Sequence, residues 1–209
     1  MKIAVVGSGI VGKLVSLYLA DSGCEVWQIH ETQKDRCASY AAHGVLSVRG
    51  EVKARDSVFA LHCKQIENYR KFLEEIEQRS GVDIPKIDGV YEAVSDDEDY
   101  KRIKNRVYQK RFTGFFRSNY VSKKDLFKVK KHIFSSMPEQ INNIGWMHYP
   151  KDMWMDPVCL LKALSIILEK KTKTIKEQVK RIQYTKNLSV VFDNNSIGFD
   201  KVVLATGAQ

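Results

Sequence analysis

The sequence has few of the residues that mark a disulfide-rich, metal-bound or disordered chain. Only four of its 209 residues are proline, and no stretch has a low-complexity composition. Its cysteines are scattered and form no Cys-x-x-Cys pair, which argues against a zinc site and a dithiol redox pair. We therefore expect no metal and four free thiols, at Cys24, Cys37, Cys63 and Cys159.

Long hydrophobic runs are also missing, although 44% of the residues are apolar. None approaches the roughly 18 residues that a membrane-spanning helix requires. The apolar start, Ile3–Val6, is interrupted by Gly7 and has no small-residue cleavage site after it, unlike a secretory signal. These absences predict a cytoplasmic protein without a membrane span, large enough for one or two packed domains.

Acidic residues are scarce in one segment, Lys101–Lys131, which has twelve Lys or Arg and a single acid within a chain of net charge +9. Such a segment can bind nucleic acid, an acidic partner or an anionic substrate. Aromatic residues are interleaved with the charges, as in single-strand binders. The aromatics also have the spacing of a core stripe, and we favour a solvated basic face over a nucleic-acid partner.

The first 31 residues have the pattern of a β-α-β unit. An apolar run over Lys2–Val6 predicts a buried strand, and apolar residues at helical spacing predict a helix over Gly9–Ser22 that ends before Gly23. Glu25–His30 predicts a second strand. A right-handed parallel crossover is the default geometry of such a unit.

Between the first strand and the helix stands Gly-x-Gly-x-x-Gly, formed by Gly7, Gly9 and Gly12. The first glycine permits a tight turn, the second lets a pyrophosphate approach the backbone, and the third lets the helix pack closely on the sheet. Phosphates then lie at the positive end of the helix dipole. Glu31 follows the second strand, where a carboxylate accepts hydrogen bonds from ribose hydroxyls. Together these features predict dinucleotide binding.

The rest of the chain has further helix and strand signals. Helices are predicted over Ser57–Ser80, over Asp97–Tyr108, and from an Asp156 cap with Pro157 at the first position. Strands are predicted around Gly89–Tyr91, over Thr174–Thr185 and Leu188–Phe192 with a turn at Lys186–Asn187, and from Lys201 onward.

The last of these strands resembles a known cofactor motif. Val202–Gly207, an apolar run ending in Ala-Thr-Gly, is similar to the second fingerprint of flavoproteins and favours FAD over NAD. With it, the chain resembles the D-amino-acid oxidase superfamily, especially its glycine oxidase, sarcosine oxidase and D-amino-acid dehydrogenase branches. Four more segments carry the resemblance in the family's order: Cys37–Ser47, Asp88–Tyr91, Trp154–Pro157 and Ile175–Val179.

The resemblance implies an α/β fold: a Rossmann-type FAD-binding domain with part of an α+β substrate domain inserted. The FAD-binding domain would comprise residues 1–80 and 150–209, and the partial substrate domain residues 81–149. Only the N-terminal half of the family's fold is matched. We therefore expect either a truncated chain or, as we favour, one subunit of a heteromer whose second polypeptide carries the C-terminal half.

The resemblance also assigns cofactor contacts by position. The expected set is Gly7, Gly9, Ile10, Val11 and Gly12 at the pyrophosphate, Glu31 and Thr32 at the ribose, Ala38, Ser39, His43, Gly44 and Val45 near the flavin, Val179 at the adenine, and Ala205, Thr206 and Gly207 along the cofactor. Some relatives attach FAD to a histidine of this loop. That position is Ala41 here, so non-covalent FAD is expected.

His43 and Arg49 are the candidate catalytic residues, because the sarcosine oxidase branch has a His-Gly and an arginine in similar places. A cation near the flavin would stabilise negative charge on the reduced ring and attract a substrate carboxylate. The alternative is that His43 packs in the loop and Arg49 is solvated. The implied function is an oxidoreductase acting on a CH-NH or CH-NH2 group of a small amine or amino acid. A tRNA-modifying fragment and a non-catalytic flavin-binding fragment are the alternatives.

Overall fold

The computed structural model describes residues 1–31, 38–47, 57–109, 119–122, 144–184 and 187–207. The chain divides into two compact units. The first unit comprises Met1–His43, Leu73–Pro85 and Asp156–Gln209, and the second comprises Gly44–Phe72 and Lys86–Met155.

The described residues form helices and strands in the following order: β1 (Lys2–Val6), α1 (Ile10–Asp21), β2 (Glu25–Ile29), α2 (Ala38–Ala41), β3 (Val45–Leu46), α3 (Ser57–Ser80), β4 (Lys86–Val94), α4 (Asp97–Gln109), β5 (Asn119–Ser122), β6 (Gly145–Met155), α5 (Pro157–Glu169), β7 (Lys173–Ile175), β8 (Arg181–Tyr184), β9 (Leu188–Val191), β10 (Ser196–Gly198) and β11 (Lys201–Leu204). None of the described helices combines the length and apolarity needed to cross a bilayer.

A parallel sheet with the order β11-β1-β2-β7 organises the first unit. Val6 pairs with Leu204 on one side and with Ile29 on the other, so the carboxyl ends of three strands are level. Ala4 and Val5 of the central strand are fully buried. This burial explains the apolar run at the start of the sequence, because a parallel sheet is covered on both faces. The predicted α/β fold of Rossmann type is confirmed.

Helix α1 follows the predicted span with one residue fewer at each end. Gly9 is its N-cap residue, and the helix ends where the backbone N–H groups of Ser22 and Gly23 bond to carbonyls of its last turn. One buried polar pair joins it to the sheet, since Gln28 Nε2 donates to Ser16 Oγ at 3.1 Å.

Helix α5 starts where the sequence predicts. The Asp156 side chain accepts hydrogen bonds from the N–H groups of Val158 (2.8 Å) and Cys159 (3.1 Å), and Pro157 occupies the first helical position. The buried face of the helix consists of apolar residues at helical spacing: Leu160, Leu161, Ala163, Leu164, Ile167 and Leu168.

The predicted strand over Thr174–Thr185 is wrong as a single element. The structure forms two strands there, β7 in the parallel sheet and β8 in an antiparallel sheet of order β10-β9-β8. Both strands are rich in polar residues, so their composition does not predict that they belong to different sheets. The antiparallel sheet belongs to a core in which Val190 and Phe192 join Ala4 and Ile29. Lys186 of the predicted turn lies outside the described residues.

The second unit is built on an antiparallel sheet in which the long strand β6 pairs with β3, β4 and β5. Val94, Met147 and Tyr149 form a buried cluster with Ile103 of α4. The β4–β6 register shifts at Gly89, which has a φ of +84°. A Cβ at this glycine would lie 2.6 Å from His148 Nε2, so this bulge requires glycine.

Candidate active site

The four parallel strands end at the same edge of the first unit's sheet, and a segment with predicted cofactor residues follows each of them. Gly7 follows β1, Glu31 lies two residues after β2, Val179 lies beyond β7, and Ala205 follows β11. Ligands of open α/β sheets bind outside the carboxyl ends of the strands, where the strand order changes direction. Here that point is β1, because its neighbours on either side are β2 and β11.

Gly7 and Gly12 are held where no side chain fits. Gly7 has a φ of +116°, and a Cβ there would lie 2.1 Å from the carbonyl oxygen of Ala205. A Cβ on Gly12 would lie 2.1 Å from the carbonyl oxygen of Gly7. The N–H of Ala205 donates to the carbonyl of Val6 at 2.8 Å. The two sequence fingerprints, one near each end of the chain, are therefore in direct backbone contact.

The N-terminus of α1 lies at this edge. Its cap residue, Gly9, has an extended conformation and provides no side-chain cap, and the first turn contains no acidic residue. The N–H of Ile10 instead donates to the hydroxyl of Ser39, at 2.9 Å. Val11, in the first turn, is 61% exposed. Backbone N–H groups and the helix dipole together make such a terminus suitable for a phosphate group.

Glu31 is exposed and lies just beyond the end of β2. The backbone before it is tied to the sheet, because the N–H of His30 donates to the carbonyl of Ile175 at 3.0 Å. The His30 ring Nδ1 lies 2.8 Å from the Glu31 carbonyl oxygen. These contacts fix the backbone at the end of β2, and Glu31 itself is exposed there. Thr32 lies outside the described residues.

The remaining predicted contacts of the first unit differ in exposure. Val179 is half-buried and packs against the core that contains Phe192 and Val190. Ala205 is half-buried, whereas Thr206 and Gly207 are exposed, as is Ala38 of α2. The structure therefore anchors the start of the Ala-Thr-Gly segment against the glycine loop and leaves its continuation open.

His43, an exposed residue, ends the first stretch of the first unit. Gly44 and Val45 belong to the second unit, where the Gly44 carbonyl accepts from the N–H of Met155 at 3.0 Å and Val45 pairs with Trp154. Arg49 lies outside the described residues. The proposed catalytic roles of His43 and Arg49 stay predictions.

The sequence pattern did not predict two buried charged side chains, Lys13 and Asp152. Lys13 is only 6% exposed, and its Nζ donates to Ser165 Oγ at 2.8 Å. Asp152 is 1% exposed and accepts from the Ser47 hydroxyl at 2.6 Å. Helical spacing gives a signal for Lys13, because it lies four residues before the buried Leu17 on the same helix face.

A family comparison decides what this arrangement is. The family model described as DAO, FAD dependent oxidoreductase, matches residues 2–209. The chain belongs to the DAO family of FAD-dependent oxidoreductases. FAD is therefore its cofactor, and the predicted resemblance is confirmed. No curated protein sequence matches the chain.

Solved structures show the same fold at low sequence identity. The DAO-family chain is similar to glycine oxidase from Geobacillus kaustophilus, with a TM-score of 0.85 and 20% identity over 99% of this chain and 55% of that one. Glycine oxidase from Bacillus cereus has a TM-score of 0.82 and 23% identity, over 99% of this chain and 55% of that one. Iminodiacetate oxidase from Chelativorans has a TM-score of 0.81 and 15% identity, over 99% of this chain and 55% of that one. The chain thus spans about half the length of these relatives.

The geometry of this DAO-family chain fits its cofactor. The loop from Gly7 to Gly12 has no room for side chains at its two ends, and the first turn of α1 has no acidic residue that would repel a pyrophosphate. The Glu31 carboxylate lies at the end of the neighbouring strand. One sheet edge thus has backbone N–H groups suited to a phosphate and a carboxylate suited to a ribose.

Proposed function

We propose that this chain forms the FAD-binding part of an oxidoreductase that acts on the CH-NH or CH-NH2 group of an amine or amino acid. The observation that carries the proposal is the contact between the Gly7 loop and Ala205 at the N-terminus of α1. The names of similar structures support the substrate class, since they include glycine oxidase, iminodiacetate oxidase and L-proline dehydrogenase.

The residues of the first unit would divide the binding of FAD among them. The backbone around Gly9 and Ile10 would bind the pyrophosphate, and Glu31 the ribose. Val179 would contact the adenine, and Ala205 to Gly207 would run along the cofactor. Bound FAD would supply the acceptor for the hydride that leaves the amine α C–H, which converts the amine into an imine.

His43 and Arg49 are proposed to act electrostatically. A positive charge at the flavin end of the site would stabilise the negative charge that develops during reduction, and would orient a substrate carboxylate. Neither residue needs to transfer a proton for this role. The role of Arg49 is tested by the binding of a carboxylate such as anthranilate. Its affinity should fall in Arg49→Met and be retained in Arg49→Lys.

Activity is proposed for this chain together with the complementary part of the relatives' fold. The support is that the chain corresponds to 55% of each glycine oxidase chain. In addition, no strand pairs with the outer edge of β11 among the described residues, and Leu204 of that strand is 63% exposed. Open strand edges favour association with further chain. We propose that a second polypeptide supplies this complementary part.

A cytoplasmic location stays a prediction.

The cofactor assignment is tested by purification and acid denaturation. The protein should be yellow and release FAD. Gly9→Val should abolish FAD binding, because a side chain at that position would collide with the pyrophosphate. Gly198→Ala in β10 is the control, since its Cβ would meet nothing closer than 3.9 Å. Full FAD retention in Gly9→Val would show that the cofactor is bound elsewhere.

The partner proposal is tested by size-exclusion chromatography and amine-oxidation assays. They are run on the chain alone and after co-expression with a candidate C-terminal half. We expect co-elution and an activity that appears only in the complex. A monomeric chain that oxidises an amine by itself at about 1–100 s⁻¹, an ordinary enzyme rate, would contradict the need for a partner.

A further inference from the structure

We infer that the outward face of α1 is the docking surface for the second polypeptide, which would lay an apolar segment along it. This face, the α1 stripe, consists of Val11, Leu14, Val15 and Tyr18. The inference rests on the proposed function, because it concerns the partner that would complete the fold, and it adds where that partner binds.

Helix α1 packs on its own unit through a partly polar face. Its buried residues include Lys13 and Ser16. Lys13 Nζ donates to Ser165 Oγ of α5 at 2.8 Å, and Ser16 Oγ accepts from Gln28 Nε2 of β2 at 3.1 Å. A surface helix normally turns its apolar side to the core and its polar side to water. In α1 these two polar side chains point inward instead.

The opposite face of α1 is apolar and open. The residues of the α1 stripe follow the i, i+3, i+4, i+7 spacing of a single helix face. Val11 is 61% exposed and Tyr18 is 73% exposed, and Leu14 and Val15 between them are half-buried. Apart from Asp21 at the end of the helix, no charged residue of α1 is exposed. Contiguous apolar surface of this kind indicates a contact with another protein segment, unlike a single exposed side chain.

The size of the relatives indicates what would cover the α1 stripe. The chain corresponds to 55% of each glycine oxidase chain, so the rest of that fold needs surface on which to pack. One open surface is the outer edge of β11, which pairs with no described strand and where Leu204 is exposed. The first turn of α1 adjoins the end of this strand, since a Cβ on Gly12 would lie 3.5 Å from the Ala205 Cβ. A single partner can therefore cover both the strand edge and the stripe.

Two other occupants fit the α1 stripe less well. A second copy of the chain would need more surface than one helix face, because stable interfaces involve about 20–30 residues on each side. A membrane-binding helix has Lys or Arg along its polar side. In α1 the lysine is buried, and the exposed charge is the carboxylate of Asp21. The stripe has the apolar chemistry of a permanent interface, which suits a segment that completes the fold.

The test places a charge in the α1 stripe at Tyr18, because Val11 also belongs to the predicted cofactor contacts. Wild type, Tyr18→Lys and Tyr18→Phe are loaded with FAD. Their affinities for the C-terminal half that co-elutes with wild type are measured by biolayer interferometry. We expect Tyr18→Lys to bind at least about tenfold more weakly, since an interface aromatic is lost and a charge would be buried. Tyr18→Phe keeps the ring and should bind like wild type, and FAD per protein should be equal in all three.

Tyr184→Lys is the matched control, because Tyr184 of β8 belongs to the same unit and is 79% exposed. Its affinity for the C-terminal half should match wild type. A photo-crosslinking residue supplies an independent measurement. Tyr18→p-benzoylphenylalanine should crosslink to the C-terminal half in the co-expressed complex, and Tyr184→p-benzoylphenylalanine should not.

Equal affinities of wild type and Tyr18→Lys would overturn the inference and leave the two-chain proposal intact. A crosslink from position 18 to a second copy of this chain would also overturn it, as would binding of wild type to phosphatidylcholine vesicles that Tyr18→Lys abolishes. If the wild-type chain oxidised an amine alone, the proposed partner, and with it this docking surface, would be wrong.

Discussion

The hydroxyl of Ser39 lies 2.9 Å from the backbone nitrogen of Ile10 and accepts its hydrogen bond, although 29 residues separate them in sequence. Most helices take this cap from their own N-cap side chain. Because Gly9 has none, α1 is capped by a residue of α2. This hydrogen bond therefore ties the start of α1 to the short helix α2.

Ser39→Ala should lower the free energy of unfolding by about 1 kcal/mol, the usual cost of losing a helix cap. Ser39→Thr keeps the hydroxyl and should recover most of that loss. Urea unfolding of the ligand-free protein measures both. Ser22→Ala, which removes an exposed hydroxyl at the other end of α1, should change stability by about 0.5 kcal/mol or less. Equal stabilities of wild type and Ser39→Ala would refute the capping role.

Gly12→Ala should destabilise the protein by about 3 kcal/mol or more, because its Cβ would lie 2.1 Å from a backbone oxygen that cannot move freely. FAD binding should be lost with it. Gly198→Ala has room for the methyl group and should cost less than about 1 kcal/mol. Thermal unfolding and bound flavin per protein are the readouts. A Gly12→Ala protein with wild-type stability would disprove the close approach of α1 to the glycine loop.

Glu31→Ala should weaken FAD binding by about 1–3 kcal/mol, since ribose hydroxyls would lose an acceptor in the complex. Flavin fluorescence titration measures the dissociation constant. Glu169→Ala removes an exposed carboxylate at the end of α5 and serves as the matched control. Unchanged affinity in Glu31→Ala would mean that the ribose is bound by other residues.

The lowered pKa of Asp156 should make the free energy of unfolding depend on pH. Hydrogen bonds from the Cys159 and Val158 N–H groups lower the pKa of its carboxyl, against a smaller opposing effect of burial. A lowered folded-state pKa stabilises the protein above the unfolded value of about 4, and this stabilisation disappears as the pH falls through the folded pKa. Asp156→Asn should therefore lose less stability than wild type between about pH 5 and pH 2. Parallel pH profiles from urea unfolding would contradict this assignment.

Local signals in the sequence were sufficient to predict several of the observed elements. The glycines at Gly7 and Gly12, the Asp156 cap and the span of α3 follow from backbone and helix-end preferences that act over a few residues. The residues of α3 are predicted and observed over the same range, Ser57–Ser80.

Sheet membership and buried polar contacts depend on residues distant in sequence and were therefore missed. Nothing in the local pattern assigns β7 to one sheet and β8 to another, because that choice depends on their neighbours β2 and β9. Lysine is usually a surface residue, but Lys13 is buried and donates a hydrogen bond to Ser165, 152 positions later. Such contacts follow from the tertiary fold and not from periodicity.

The pairing of β1 with β11 also has a consequence for the order of events during synthesis. The Lys2 N–H bonds to the Asp200 carboxylate 198 residues later, and the Gly7 turn is closed by Ala205. At about 5–20 residues per second, roughly 10–40 s separate the translation of these two ends. The glycine fingerprint therefore lacks its neighbouring strand β11 during that interval. Contacts of such long range fold slowly, so we expect FAD to bind only after β11 has been synthesised and paired with β1.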